Sequence, residues 1–520
     1  MDETGPVPKA ISGPSGHLPR LGTSLLADPS LRPTMGEAQQ VSLTWPTYNR
    51  SALTGGIVHL GVGGFHRAHL AAYVDDLCTS TDSTWSISGS GVMAHDENIA
   101  AVLSEQDGLY LLAEREGSGA SAIVKGRVIG ALNRFIPGHI DSLPLLHELA
   151  DPSTKIVSLT ITEGGYPVEH KTFVGNETLA NDARSENPKT TFGIIVTALD
   201  LRRRAGLPPF TVLSCDNLPG NGHVAKLAVL GASGFRSPAL ADWVTRNGAF
   251  PNAMVDRITP ATTDADRAWA TATFGFVDEW PVLCEPFRQW ALEDEFACGR
   301  PAFENVGVLM TDDVTPYEHM KLRLLNGSHS GLAYLSALAG ITYVHEAVLD
   351  PRIERFIREL MKSEAAPNLI APAGIDLVEY QDSLVRRFSN PAIADTIARL
   401  CLDGTAKFPT FIVPSLEDQL AKGGPIRMLA LVLAGWCRYL RGVADDGSSL
   451  NLSGDPFLTE AAAIALASKS DPAIFLRYER ALGPNIATSS RLIEMFTQAL
   501  ESIEANGALA TLDAWCESRS

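Results

Sequence analysis

A short apolar run, Ile57–Leu60, leads directly into a glycine-rich segment, and this junction restricts the chain to few folds. The segment is G-V-G-G-F-H-R-A-H over Gly61–His69, and apolar residues then recur at helical spacing as far as Leu77. A buried strand, a glycine turn and a helix form the unit in which a dinucleotide pyrophosphate meets a helix N-terminus. Because His66 stands where G-x-G-x-x-G has its third glycine, the pattern alone is equally typical of a plain tight turn.

Strands and helices alternate through the next 150 residues or so. The predicted strands are Trp85–Ser88, Ile156–Thr162 and Phe210–Ser214, and Thr191–Arg204 is a predicted helix. Such alternation predicts a parallel sheet covered by helices, with the chemistry at the carboxyl ends of the strands. The loop Cys215–Gly222 is therefore a site candidate, although loops of this composition are also commonly structural.

From about Thr311 onward the pattern is helical. The predicted helices include Arg352–Lys362, Ile393–Leu402, Met428–Tyr439 and Arg491–Glu504. We therefore predict an α/β Rossmann-type N-terminal domain over residues 46–310 and a predominantly α-helical C-terminal domain over residues 311–520. Residues 1–45 are rich in Pro, Gly and Ser without periodicity, which predicts a disordered extension.

Composition limits the class of protein. A chain of 520 residues is too long for one ordinary core, and 45% apolar with 20% charged residues is typical of a soluble globular protein. The formal net charge of −18 argues against nucleic-acid or anionic-membrane partners. Seven cysteines without a C-x-x-C pair, and no apolar signal segment, favour a reducing cytoplasm over a zinc cluster.

The stretch Tyr317–Ser330, Y-E-H-M-K-L-R-L-L-N-G-S-H-S, carries a second set of candidate residues. On an ideal helix with Lys321 at zero, Glu318, His329 and Asn326 project at about 60°, 80° and 140°. Leucines share this arc, so an amphipathic helix with a polar edge explains the pattern equally well. On such a face Lys321 would be desolvated, which lowers the pKa of its amine toward that of a useful general base.

Together these motifs resemble the mannitol dehydrogenase family, the polyol-specific long-chain dehydrogenases. The matching strings occur in order between about Gly55 and residue 445. They are G-V-G-G-F-H-R-A-H, S-C-D-N at Ser214–Asn217, F-P-N-A-M-V-D-R-I-T-P at Phe250–Pro260, K-x-x-x-x-N-x-x-H at Lys321–His329 and R-L-C-L-D-G-T-A-K-F-P at Arg399–Pro409. The resemblance implies a metal-independent polyol dehydrogenase that uses a nicotinamide cofactor.

The resemblance also implies the roles of the candidate residues. Lys321 is the expected general base, and Asn217 and Asn326 are expected to stabilise the developing alkoxide. His329 would orient the substrate hydroxyl, and Glu318 would relay the proton to solvent. The implied substrate-binding residues are Asp256, Arg399 and Lys407.

The implied cofactor is NAD rather than NADP. Asp96 follows W-x-I-x-G-x-G, where the family carries a ribose-binding aspartate, although by its spacing Asp96 is equally typical of a helix cap. Met93 and His95 differ from the residues common in relatives, so NADP remains the alternative. The other implied cofactor-binding residues are Gly61, Gly63, Gly64, Phe65, His66, Arg67, Thr162 and Glu163.

Three other functions compete with this interpretation. Tyr317 and Lys321 also form the Y-x-x-x-K pair of short-chain dehydrogenases, but Asn305 and Val306 stand where that family has its serine. A zinc-dependent dehydrogenase would need a Cys/His ligand set, which the spacing does not provide. A non-catalytic nucleotide-binding sensor would not need the lysine and the two asparagines that this chain retains.

The expected reaction is oxidation of a free polyol at C2, with D-mannitol to D-fructose as first choice. A phosphorylated substrate would require a cluster of Arg and Lys, whereas the candidate segments mix amides, carboxylates and few cations. The alternatives are a fructuronate or tagaturonate type of hexuronate reductase and an arabinitol or sorbitol dehydrogenase. The expected partner is a small polyol or ketose, and the expected assembly is a monomer or weak oligomer.

Overall fold

The computed structural model describes residues 18–33, 40–81, 83–91, 93, 96–118, 121–138, 140–169, 171–452 and 454–517. The chain divides into two compact units, Met1–Val314 and Thr315–Ser520. The first unit combines strands and helices, and the second is built from helices. The predicted fold class, a Rossmann-type domain followed by a helical domain, is confirmed.

Within the described ranges, the strands all belong to the first unit. In chain order they are β1 (Val41–Thr44), β2 (Gly55–Leu60), β3 (Trp85–Ser90), β4 (Tyr110–Glu116), β5 (Ile123–Ile129), β6 (Leu132–Ile136), β7 (Ile156–Leu159), β8 (Val168–Glu169), β9 (Thr172–Phe173), β10 (Thr211–Ser214), β11 (Ala253–Asp256), β12 (Val282–Cys284), β13 (Gln289–Glu293) and β14 (Leu309–Thr311).

The helices of the first unit alternate with these strands. They are α1 (Thr23–Ala27), α2 (Gly64–Ala68), α3 (Leu70–Ser80), α4 (Glu97–Glu105), α5 (Leu143–Ala150), α6 (Glu177–Arg184), α7 (Thr191–Arg204), α8 (Asn221–Arg236), α9 (Pro238–Asn247) and α10 (Asp264–Phe274).

A five-stranded parallel sheet in the order β10-β7-β2-β3-β6 forms the centre of the first unit. Four of its strands, β2, β3, β7 and β10, are almost entirely buried, as expected for a sheet covered on both faces, whereas the edge strand β6 exposes Arg134. A four-stranded sheet in the order β1-β5-β4-β12, a three-stranded sheet in the order β11-β13-β14 and the β8-β9 hairpin complete the unit.

The predicted strand over Ile156–Thr162 ends early. Ladder pairing stops at Leu159, and Thr162 has a φ of 63°, which a β-branched residue rarely adopts. The chain therefore leaves the sheet in a turn, and Thr162 and Glu163 lie exposed beyond its edge.

The predicted disorder of residues 1–45 does not agree with the described part of this segment. Leu21 and Leu25 are buried in an apolar cluster with Phe274 and Phe276, and β1 pairs in parallel with β5. Leu26, Val41, Leu43 and Trp45 are partly buried against the same cluster, and such tertiary packing cannot be read from periodicity. Residues 1–17 and 34–39 lie outside the described residues.

The second unit contains fourteen α-helices within the described ranges. They are α11 (Thr315–Met320), α12 (Gly327–Leu338), α13 (Val344–Leu349), α14 (Pro351–Glu359), α15 (Leu377–Phe388), α16 (Ile397–Leu400), α17 (Gly404–Phe411), α18 (Val413–Lys422), α19 (Arg427–Tyr439), α20 (Leu458–Ala467), α21 (Ala473–Leu476), α22 (Glu479–Leu482), α23 (Ser490–Asn506) and α24 (Ala508–Glu517).

Helix α19 lies in the core of the second unit. Ten consecutive residues, Met428–Cys437, are buried, and Gly435 allows α12 to approach so closely that a Cβ there would lie 2.9 Å from Leu335. Trp436 stacks on Phe408 with ring centroids 4.1 Å apart. Neither α19 nor any other helix in the described ranges combines the length and apolarity that a membrane crossing requires.

Two of the predicted helices in the second unit differ from the structure. The predicted helix Arg352–Lys362 corresponds to α14, which ends at Glu359, and a π-helical turn over Leu360–Ala365 follows it. The prediction Ile393–Leu402 is reduced to α16, because Ala394 adopts a left-handed conformation with φ 49° and interrupts the helix.

Packing of the N-terminal segment predicts that Leu25→Ala lowers the free energy of unfolding by about 2–5 kcal/mol, the range for truncating a buried leucine. Leu25 is 1% exposed, whereas Leu31 is 52% exposed. Leu31→Ala therefore serves as the matched control and should change the free energy of unfolding by about 0.5 kcal/mol at most. Thermal and urea unfolding of both variants measure the difference. Equal stability of the two variants would contradict the packing of this segment.

Candidate active site

The topology of the central sheet creates a crevice at one edge. From β2 the chain proceeds outward through β3 to β6, then returns to β7 on the other side of β2 and ends at β10. In such open sheets, ligands bind at the carboxyl ends of the strands where this order reverses, here between β2 and β7. The glycine segment Gly61–Gly64 follows β2, and Thr160–Thr162 follows β7.

The glycines at this edge have distinct roles. Gly61 has a φ of 93°, and a Cβ there would lie 2.2 Å from the carbonyl oxygen of Thr160, so only glycine fits. Gly63 is exposed, and the only heavy atom within 4 Å of an added Cβ would be the carbonyl oxygen of Gly61. The backbone at Gly63 is therefore open to close approach by a ligand, which fits the pyrophosphate of a dinucleotide.

Two stacked histidines lie beneath the glycine segment. His59 in β2 contacts Ser158 Oγ at 2.8 Å through Nδ1 and Thr160 Oγ1 at 2.9 Å through Nε2. His66 is 1% exposed and stacks on His59 with ring centroids 3.5 Å apart. Burial lowers the pKa of His59 to about 3, and that of His66 well below its ordinary value. The structure thus places His66 in the interior, where it supports the loop from below.

The remaining predicted residues of this segment are also partly internal. Arg67 is buried and donates hydrogen bonds to the carbonyl oxygens of Gly63 and Trp280, while Tyr110 donates to the Arg67 carbonyl oxygen at 2.7 Å. Burial lowers the pKa of Arg67 to about 10. Phe65 is half-buried and stacks on the His69 ring. The segment therefore offers its backbone to a ligand, while its large side chains anchor α2.

Asp96 lies just after β3, beside the same edge. Its carboxylate accepts the Met93 N–H at 2.9 Å, and a Cβ on Gly91 would lie 2.4 Å from the Asp96 Cβ. Asp96 stands at the N-cap position of α4, but its side chain makes no capping hydrogen bond to that helix. Val92, Ala94 and His95 lie outside the described residues.

A buried carboxylate that the sequence analysis did not single out joins two of the strand ends. Asp216, after β10, accepts the N–H groups of Ile161 at 3.1 Å and Thr162 at 2.9 Å and the Tyr166 hydroxyl at 2.6 Å. Burial raises the pKa of Asp216 to about 6, although these three hydrogen bonds act to lower it. The only signal in the sequence was its position in S-C-D-N, directly after a strand.

Asn217 and Asp256 lie at the carboxyl ends of two strands that belong to different sheets. Asn217 is exposed at the end of β10, and Asp256 is buried at the end of β11. Asn221 joins the end of β10 to the start of β11, because its amide donates to the carbonyl oxygens of Asp216 and Ala253 and accepts the Ala253 N–H. Just after the other end of β11, Arg257 donates to the Ala68 carbonyl oxygen of α2.

In the second unit, the stretch Tyr317–Ser330 is not a regular α-helix. A π-helical turn over Lys321–Asn326 separates α11 from α12, and the Gly327 N–H bonds to the carbonyl oxygen of Leu322, five residues back. The prediction from ideal α-helical angles was therefore wrong in detail. The π turn makes Lys321 and Asn326 its first and last residues, and such turns frequently occur at functional sites.

The candidate residues on this stretch differ in exposure. Lys321 and Asn326 are each 8% exposed and His329 is 9% exposed, while Glu318 is half-buried on α11. Tyr317 is buried and its hydroxyl donates to the Ala373 carbonyl oxygen at 3.4 Å.

A further carboxylate, Asp395, connects two candidate residues of the second unit. It accepts hydrogen bonds from two nitrogens of Arg399, with Nε at 2.6 Å. Burial acts to raise the pKa of Asp395, but Arg399 and the nearby His329 hold it below its ordinary value. His329 packs against Phe388 with ring centroids 4.3 Å apart, and Lys407 Nζ donates to the Leu400 carbonyl oxygen at 3.0 Å.

No group of three or more His, Cys, Asp or Glu side chains is arranged to hold a metal ion in the described part of the chain. Among the described candidate residues, the buried polar side chains include the Asp256 carboxylate, the Asn326 amide, the His329 imidazole and the Lys321 amine. These groups suit proton transfer and hydrogen bonding to hydroxyls.

Comparison with known proteins agrees with this architecture. Residues 55–305 match the family model of the mannitol dehydrogenase Rossmann domain, and residues 313–504 match that of the mannitol dehydrogenase C-terminal domain. Mannitol 2-dehydrogenase of Cereibacter sphaeroides is 45% identical over 475 residues, which cover 91% of this chain and 98% of the relative. The Phaeosphaeria nodorum enzyme of the same name is 42% identical over 483 residues, which cover 91% of this chain and 84% of the relative.

Two solved structures share the fold. The Pseudomonas fluorescens mannitol 2-dehydrogenase ternary complex with NAD and D-mannitol superposes with a TM-score of 0.85 at 40% identity, covering 96% of this chain and all of that one. A substrate-free D-sorbitol dehydrogenase superposes with a TM-score of 0.84 at 34% identity, covering 95% of this chain and all of that one. The resemblance predicted from the motifs is thus confirmed, and the chain belongs to the mannitol dehydrogenase family of oxidoreductases.

Proposed function

We propose that this protein catalyses the NAD-dependent oxidation of a free polyol at a secondary alcohol, with D-mannitol to D-fructose and its reverse as the main reaction. The observation that carries the proposal is the buried Lys321 on a π turn that ends at Asn326. The relatives named mannitol 2-dehydrogenase, and the one solved with NAD and D-mannitol, support the choice of substrate.

Lys321 acts as the general base. Leu322, Leu324 and Leu325 on the same turn are buried, and a largely apolar, buried setting disfavours the ammonium form of a lysine. A neutral amine can accept the hydroxyl proton of the substrate, and the half-buried Glu318, one turn earlier, passes that proton toward solvent.

The asparagines stabilise the negative charge that develops on the substrate oxygen. Amide N–H donors already directed at the reacting oxygen need no reorganisation during the reaction, and each contributes about 3 kcal/mol. Asn326 provides such a donor from the buried π turn, and Asn217 from the exposed end of β10. His329 orients the substrate hydroxyl, and the hydroxyls of the remaining carbon chain bind Asp256, Arg399 and Lys407.

The Rossmann domain takes a nicotinamide dinucleotide, and we propose NAD as the physiological form. When bound, it accepts the hydride from the substrate carbon. The exposed backbone of Gly63 and the neighbouring Gly64 would hold the pyrophosphate, Asp96 would accept hydrogen bonds from the ribose hydroxyls, and Thr162 and Glu163 would contact the cofactor. All seven cysteines are free thiols, which suits a reducing cytoplasm.

The pairing of Arg399 favours an uncharged substrate over a hexuronate or a phosphate. The Asp395 carboxylate engages two nitrogens of this guanidinium and offsets its charge. A clamp for a carboxylate or phosphate would need those nitrogens and that charge unopposed. The likeness to a D-sorbitol dehydrogenase makes D-sorbitol the second candidate among free polyols.

Lys321→Ala should reduce turnover by about a hundredfold to ten-thousandfold, the range for loss of a general base, while NAD affinity stays nearly unchanged. Tyr317→Phe is the matched control, because the Tyr317 hydroxyl is bonded to the Ala373 carbonyl oxygen and should affect turnover only slightly. Steady-state oxidation of D-mannitol measures both. If Tyr317→Phe is as damaging as Lys321→Ala, the tyrosine–lysine mechanism of short-chain dehydrogenases applies instead.

Asp96→Ala should weaken NAD binding and improve NADP binding, because it removes a ribose acceptor and a charge that repels the 2′-phosphate. Asp376→Ala is the control, since Asp376 also accepts backbone N–H bonds but caps α15 in the other unit. The ratio of kcat/KM for the two cofactors is the measurement. An unchanged ratio in Asp96→Ala would show that Asp96 only shapes its own turn.

Fructose should be reduced by NADH with a higher kcat/KM than fructuronate. Because Asp395 offsets the charge of Arg399, a carboxylate gains little at this position. The two ketoses are compared under identical conditions. A preference of about a hundredfold for fructuronate, equivalent to about 2.7 kcal/mol, would replace the mannitol assignment with a hexuronate without altering the roles of Lys321 and the asparagines.

A further inference from the structure

The turn after β7 is held in a conformation that its own sequence disfavours. Thr162 has φ 63° and ψ 164°, a region that glycine occupies and β-branched residues avoid. Backbone of this kind costs about 1–3 kcal/mol and persists only where surrounding contacts impose it. Thr162 itself is exposed, so the imposing contacts come from its backbone.

Asp216 supplies those contacts. Its two carboxylate oxygens accept the consecutive N–H groups of Ile161 and Thr162, one oxygen for each donor. The Tyr166 hydroxyl, from the far end of the same turn, donates to one of these oxygens and lies 2.7 Å from Ser214 Oγ. One buried side chain thus binds both ends of the turn to the end of β10.

The same turn packs against the glycine loop. Thr160 Oγ1 donates to the Gly61 carbonyl oxygen at 2.7 Å, and the Thr160 carbonyl oxygen occupies the place that a Cβ on Gly61 would need. A shift of the turn would therefore displace Gly61 as well. Asp216 is therefore linked to the glycine loop through its hydrogen bonds to Ile161 and Thr162 and through the contact of the adjacent Thr160 with Gly61.

We propose that Asp216 is a positioning residue for the cofactor: its ionised carboxylate holds the Ile161–Thr162 turn, and through Thr160 the glycine loop, in the geometry that binds the dinucleotide. The same residue precedes Asn217, so it also fixes the backbone from which that amide projects. This inference rests on the proposed use of the crevice by NAD.

Asp216 keeps its charge at a cost in stability. The titratable groups acting on it are Tyr166, Cys215 and Glu163, and burial with the Glu163 charge raises its pKa to about 6. A raised pKa means that its contribution to stability is fully present below pH 3.8 and is lost as the pH rises through about 6.

The test is the dissociation constant of NADH, measured by fluorescence titration without substrate. Asp216→Asn removes the charge and turns an N–H donor toward one of the two backbone N–H groups, so we expect NADH binding at pH 8 to weaken about tenfold or more. Asp182→Asn is the matched control, because Asp182 accepts the consecutive N–H groups of Lys189 and Thr190 in the same unit. The dissociation constant of NADH for the Asp182→Asn variant should lie within about twofold of that for the unsubstituted protein.

The pH dependence separates positioning from general stability. In the unsubstituted protein, NADH affinity should fall as the pH is lowered through about 6, since protonation removes the charge that holds the turn. Asp216→Asn should lack this inflection. Tyr166→Phe removes a hydrogen bond to the ionised carboxylate, so it should move the inflection to higher pH, and it serves as the second variant if Asp216→Asn does not fold.

Two results would overturn the inference. Asp216→Asn that binds NADH as tightly as the Asp182→Asn control would show that the turn does not depend on the carboxylate. An inflection that Tyr166→Phe leaves in place would show that another group titrates. If the unsubstituted protein binds neither NADH nor NADPH, the proposed function fails, and this inference fails with it.

Discussion

The close approach of Gly61 to the carbonyl oxygen of Thr160 is the contact on which the crevice of the first unit depends. With any side chain at Gly61 a Cβ would lie 2.2 Å from that oxygen, so the ends of β2 and β7 meet here only through glycine. The contact brings the glycine loop and the strained Thr162 turn to one edge, and Asp216 then joins the end of β10 to them. The ends of β2, β7 and β10 are thus connected by ladder pairing, by the Gly61–Thr160 contact and by the Asp216 carboxylate.

The histidine pair explains why the third glycine of the dinucleotide motif is absent. That glycine normally allows the helix to approach the strand closely. Here His66 occupies its position and stacks flat on His59 of β2, so two aromatic rings fill the space between helix and strand. Both imidazoles are buried and neutral, which adds no charge beneath the loop, and His59 contributes a hydrogen-bonding contact to Thr160. Stacked imidazole rings thus fill the space that a third glycine would otherwise close by letting the helix approach the strand.

In the second unit, the π turn over Lys321–Asn326 determines which candidate side chains lie on the same side of the helix. An α-helix distributes residues five apart to different faces, whereas hydrogen bonds that span five residues return them toward one another. The side chains of Leu322, Leu324 and Leu325 on this turn are buried, and Lys321 and Asn326 are its first and last residues. The irregular turn is thus directly linked to the proposed chemistry.

The sequence by itself determined the fold class and the family, and it placed the candidate residues after strands, on the Tyr317–Ser330 stretch and in the Arg399–Pro409 string. These properties depend on local patterns, such as apolar runs, glycine turns and motif spacing, which single segments carry. Tertiary structure decided that His66 and Arg67 are internal supports and that Leu25 belongs to the core. It also decided that the stretch contains a π turn and that Asp216 holds the Thr162 turn, because hydrogen bonds between residues about 54 apart and the burial of a side chain depend on neighbours that no local pattern specifies.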